Sequence, residues 1–110
     1  MAATLAGLSL WCATAAVAHA GDMFALAPDL WDRPRSARAV LDQSAVRQAL
    51  DQYLAQPAAR LVIHHGLGQE PLLQAEELRM WLMALAVDGA RVSLASDVRP
   101  KEPLKIEVIK

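Results

Sequence analysis

The sequence predicts a small α/β (α+β) fold, a mixed β-sheet of three or four strands with two helices packed on one face. Three observations carry that expectation. Two stretches repeat apolar residues at helical spacing, Val46 to Leu54 and Leu72 to Leu85. A short β-branched apolar run, Leu61-Val62-Ile63, lies between them. Two alternating stretches, Ala90 to Ala95 and Leu104 to Val108, follow.

The elements follow in chain order. Residues 21–41 read as an N-terminal arm, because Pro28 and Pro34 lie too close together for a continuous helix or central strand. A short strand is expected within Met23 to Ala27 or within Ala37 to Leu41. The first helix starts at Asp42 or Ser44, whose side-chain oxygens can accept from the free amides of a first turn. Val46, Ala49, Leu50, Tyr53 and Leu54 share one face, and Arg47, Gln48, Asp51 and Gln52 form the wet one. Pro57 stops this helix near Gln56.

Leu61-Val62-Ile63 is expected to be a buried strand, broken by Gly66 and Gly68. Pro71 suits the first turn of a second helix running to about Val87. Its buried stripe is Leu72, Ala75, Leu78, Leu82 and Leu85 with Trp81 beside it, while Glu76, Glu77 and Arg79 lie mostly outside. The strand–helix–strand unit then predicts parallel strands joined by a right-handed crossover. A last antiparallel strand turns Leu104, Ile106 and Val108 to one side and Lys105 and Glu107 to a wet side.

Met1 to Ala20 holds none of the 11 basic or 12 acidic residues of the chain. It ends in Ala18-His19-Ala20, which supplies the small −3 and −1 residues of a signal-peptidase site before Gly21. The expectation is a cleavable signal peptide over residues 1–20, although its opening lacks the usual Lys or Arg. An uncleaved anchor is the alternative, since about 20 apolar residues can span a bilayer. Trp11 before Cys12 and Ser9 three before it argue against a lipoprotein site. Cys12 is the single cysteine, so a processed chain has no disulfide and no thiolate metal site.

Residues 42–110 form the domain proper. A net charge of −1 without any Lys/Arg run points away from nucleic acid and from an anionic membrane surface. A membrane is involved only if the leader is not processed.

Few groups suggest chemistry. His64-His65 at a strand end, with Glu70 across the glycine loop, forms a candidate ligand or metal site. Neighbours in a strand point to opposite faces, and zinc needs three or four ligands, so one buried and one surface histidine is the plainer reading. Gly66-Leu67-Gly68 has neither the glycines nor the Lys or Ser/Thr of a phosphate loop and reads as a turn. Ser36, Ser44, Ser93 and Ser96 lie in no nucleophile elbow, and Glu76-Glu77 face different directions on a helix. Trp31 either plugs the arm onto the core or offers a stacking surface, with the plug favoured. These residues make no catalytic constellation, and no cofactor is expected.

From Val46 to Val108 the pattern resembles the OmpA-like domain, the peptidoglycan-binding module of outer-membrane protein A, the Pal lipoprotein and the motor protein MotB. The similar features are a helix ending in Ala55-Gln56-Pro57, a strand ending in Ile63-His64-His65, and Trp81 to Val87 followed by Ala90-Arg91-Val92. The family's Thr-Asp after its histidine is replaced here by Gly66-Leu67, and its Arg-Ala by Gln74-Ala75. In the family that Asp and Arg grip the zwitterionic end of a peptidoglycan stem peptide. The resemblance therefore implies the fold without standard peptidoglycan binding, because charge-assisted hydrogen bonds supply such affinity.

The expected function is an exported, non-catalytic periplasmic domain that binds a protein or a peptidoglycan-associated partner of the cell envelope. The residues around such a site are His64, His65, Glu70 and Gln74. The alternative is a small ligand- or metal-binding accessory protein using the His64-His65 end of the sheet.

Overall fold

The apolar run around Ile63 becomes the spine of the molecule. In the computed structural model, which describes residues 21–110, Arg60–Gly66 form strand β2. The leader expected over residues 1–20 lies outside the described residues. Strand β1 (Asp22–Ala25) precedes helix α1 (Ala37–Leu41) and helix α2 (Ser44–Ala55). After β2 come helix α3 (Gln69–Ala84), strand β3 (Val92–Val98) and strand β4 (Lys105–Ile109). Short 3-10 turns cover Pro28–Asp32 and Gly89–Arg91.

The four strands make one mixed sheet in the order β1-β4-β2-β3. β2 runs parallel to β3, and β4 runs antiparallel to both β2 and β1. Register sorts the side chains into two faces. Leu61 lies opposite Val108 and Val92, and Ile63 opposite Ile106 and Leu94. Leu61, Ile63, Ile106 and Val108 are wholly buried beneath the helices. α2 covers β4 and β1, α3 covers β2 and β3, and α1 touches both helices at their seam. The other face carries Met23, Val62, His64, Ser93, Lys105 and Glu107, by the alternation of strand side chains. No helix of the described residues is long and apolar enough to cross a membrane.

Several expectations change. Ala37–Leu41 is a helix, not a strand: Ser36 caps it by accepting from the Ala39 amide at 3.1 Å, and Val40 is its one buried residue. The packed helices therefore number three. The strand of the arm is Asp22–Ala25, an edge strand of the sheet. Asp42 closes α1 instead of opening α2, which starts after Gln43 without a side-chain cap. Leu54 is 70% exposed, because α2 buries only the Val46-Ala49-Leu50-Tyr53 arc.

α3 ends at Ala84 rather than Val87. The amides of Ala86 and Val87 bond back to Met83 and Leu82 with Ala86 at φ 79°, a Schellman closure that places a non-glycine residue in left-handed backbone. Glu77 is half-buried and paired rather than freely solvated. Arg35 donates to both its oxygens, from Nε at 2.6 Å and from a terminal nitrogen at 3.1 Å, and Trp81 Nε1 donates at 3.0 Å.

Candidate functional site

The loops that leave the parallel pair β2 and β3 open on the same edge of the sheet. Gly66 ends β2, and Gly68 at φ 110° turns the chain into α3, a backbone that side-chain-bearing residues rarely adopt. The Arg99–Leu104 loop leaves β3 on the same side, and Trp31 and Pro28 come in from the 3-10 turn. Together they enclose an open cleft of about 530 Å³. Its polar lining mixes signs: Arg99 and Lys101 with Asp32, Glu70 and Glu102, and the amide of Gln74. Crevices at the carboxyl ends of parallel strands are the usual ligand sites of such sheets.

Trp31 plugs the arm onto the core, as favoured. It packs partly buried against the core and also lines the cleft. Arg35 fixes it from behind, with its guanidinium 5.5 Å from the ring centroid and a hydrogen bond to the Trp31 carbonyl at 3.2 Å. The same guanidinium grips Glu77 of α3 and holds its carboxyl below the usual carboxylate range. The aromatic wall is thus braced against α3 by one arginine.

A second hollow, of about 220 Å³, lies on the open face of the sheet and shares Arg99 and Glu102 with the cleft. His64 forms its floor. Nδ1 of His64 lies 2.8 Å from Asp97 Oδ1 on β3, and Nε2 lies 2.8 Å from Glu107 Oε1 on β4. Burial opposes the charged imidazole, but the bonds and charges of Asp97 and then Glu107 outweigh it, so the His64 pKa is raised above its ordinary value. The protonated ring can donate from both nitrogens, which a neutral ring cannot do.

The structure separates the expected site residues. His64 lies on the open face and His65 on the helix face, where its Nδ1 lies 2.9 Å from the Gly66 carbonyl. Both histidines are buried, at 8% and 6% exposure, so the expected surface histidine does not occur. Glu107 was assigned to a wet side and is 9% exposed, because β4 is a central strand. Glu70 and Gln74 do come together, in the cleft and away from the histidine pair.

Sequence reasoning missed Asp97 and Glu107 as partners of His64, and it missed Arg99 and Lys101 as cleft residues. The signal for Glu107 was present: it is the one acidic residue of the final strand, set between the apolar Ile106 and Val108. Among the described residues no group of three or more His, Cys, Asp or Glu side chains is arranged to hold a metal ion. No protein-family model matches the chain, and neither a curated protein nor a solved structure is significantly similar to it.

Proposed function

We propose that this protein is an exported, non-catalytic domain of the bacterial periplasm that binds a protein or other cell-envelope partner through the Trp31 cleft. The observation that carries the reading is the cleft itself. It combines an aromatic wall with cations and carboxylates at the carboxyl ends of parallel strands. Mixed charge around an aromatic surface suits a peptide-like segment carrying both signs.

The resemblance to the OmpA-like domain has support from the order of elements. α2 ends before Pro57, β2 carries His64-His65, and α3 leads through a short apolar link to β3. The positions of the family's stem-peptide Asp and Arg fall near this cleft, at the glycine turn after β2 and at Gln74. Arg99 and Lys101 bring cations to the same place from a different loop, so the reading is a changed ligand on a related frame. Using His64-His65 jointly as a metal or ligand site finds no support, because the two side chains occupy opposite faces.

The test is site-specific photo-crosslinking in intact cells from position 31, combined with co-sedimentation on purified peptidoglycan. A discrete adduct of fixed mass, lost on Arg99→Glu, together with no sedimentation, is expected. Strong sedimentation that survives Arg99→Glu, with no adduct, would overturn the proposal.

A further inference from the structure

The two oxygens of Glu107 are committed differently. Oε1 faces His64 Nε2 at 2.8 Å, while Oε2 accepts from the backbone N–H of Gly21 at 2.9 Å. Gly21 is pressed against the end of β4. A Cβ at this position would lie 1.9 Å from the Val108 carbonyl oxygen, so only glycine lets the nitrogen reach Glu107 without moving the strand. The same residue directly follows Ala18-His19-Ala20. Three separate observations thus meet at one residue: the hydrogen bond, the steric demand and the small-residue spacing of an export cleavage site.

We propose that Gly21 is the first residue of the mature protein and that its freed α-ammonium group docks on the buried carboxylate of Glu107. The result is a row of alternating charge across the open face of the sheet: the Gly21 ammonium, Glu107, His64 and Asp97. The inference rests on the exported reading above. Cleavage is hydrolysis by the leader peptidase of the export machinery. Water adds across the Ala20–Gly21 bond, Ala20 leaves as a carboxylate, and the Gly21 nitrogen becomes an ammonium by taking up the proton that the new acid releases.

Processing in this scheme changes the fold energetics as well as the chain length. In the uncut chain Glu107 Oε2 meets a neutral amide. In the cut chain it meets a cation at the same place, and a charge-assisted bond is roughly twice as strong as a neutral one. Glu107 is only 9% exposed, so salt screens the pair weakly. The neighbouring charges belong to the same network or are otherwise engaged. Asp22 accepts from Gln52 of α2 at 2.9 Å, Lys105 pairs with Glu102 at 3.1 Å, and Asp97 is bonded to His64. The ammonium therefore anchors the start of β1 to the middle of the sheet.

The experiment expresses the full chain with its leader in a bacterium and recovers the folded protein. Intact mass identifies the first residue, and pH-dependent acylation of the terminal amine, read by mass spectrometry, gives its proton affinity. The expected results are a chain starting at Gly21 and an amine that holds its proton about tenfold more tightly than an ordinary chain terminus, with Glu107→Gln abolishing the difference. Insertion of one alanine between Ala20 and Gly21 displaces the ammonium without touching Glu107, and it should abolish the difference as well. A chain that keeps its leader or starts elsewhere overturns the exported reading and the cleavage together. A chain that starts at Gly21 but titrates as an ordinary terminus overturns only the docking on Glu107, and wild-type protein alone decides that point.

Discussion

Replacing His64 with leucine removes the imidazole but keeps an apolar side chain of similar reach in the sheet. The loss has two unequal parts. Asp97 has a side chain 56% exposed, so it returns to water, and its share is at most about 1 kcal/mol. Glu107 has a side chain 11% exposed and keeps only the Gly21 nitrogen as a partner. Losing a hydrogen bond to a buried charged group costs about 1.5–3 kcal/mol. The expected destabilisation near pH 6 is therefore about 2–3 kcal/mol, which for a domain this small, with a urea slope near 1 kcal/mol/M, lowers the midpoint by roughly 2–3 M.

The sign of the pH dependence follows from the raised pKa of His64. Its contribution is fully present below the unfolded value of 6.5 and is lost as pH rises through the higher folded value. Above that point one nitrogen lone pair faces a carboxylate. Arg99, Glu102 and Lys105 surround the same hollow. Urea melts of both proteins between pH 5.5 and 9 should show a gap that narrows as pH rises above about 6.5. Equal stability at pH 6, or a gap that stays constant or widens toward pH 9, would refute the ion-pair account.

Three further outcomes follow from the packing. Leu78 is wholly buried on the inner face of α3, so Leu78→Ala should cost about 3 kcal/mol by leaving a cavity, seen as a fall in thermal midpoint of roughly 12–24 °C. Ala86→Gly should stabilise by about 0.5–1 kcal/mol in the same measurement, because glycine adopts the left-handed C′ position without the Cβ clash. Glu77→Gln should lower the thermal midpoint at pH 7, and the difference should shrink as pH falls below 4.5. The depressed Glu77 pKa makes its contribution present above the unfolded value of 4.5 and lost as pH falls through the folded one.

The parts of this fold that were legible in the chain are those whose signal is local. The α2 arc, the Leu61-Val62-Ile63 run, the Ala75-Leu78-Leu82 stripe and the alternation in β3 and β4 each declare themselves within a dozen residues. α1 did not, because five residues, Ala37–Leu41, hold too little periodicity to separate helix from strand. The His64 network was hidden for another reason. Asp97 and Glu107 are 33 and 43 residues away in sequence. Only the placement of β2 between β3, which carries Asp97, and β4, which carries Glu107, brings them to the same imidazole. Alternation marked Glu107 as facing away from the core, and it does, but a central strand shelters even that side. The cleft was half legible. Glu70 and Gln74 follow from the helix start, whereas Arg99 and Lys101 sit in a loop that shows only its polarity.

The position of β4 also governs when this sheet can exist. The strand made last lies inside the sheet, between β1 and β2, which are made first and second. Until Lys105–Ile109 emerges, β1 has no neighbour to pair with and the apolar flank of β2 stays open. Every ladder except β2–β3 must wait for that segment, so the topology is rich in distant pairings and folding is correspondingly slow.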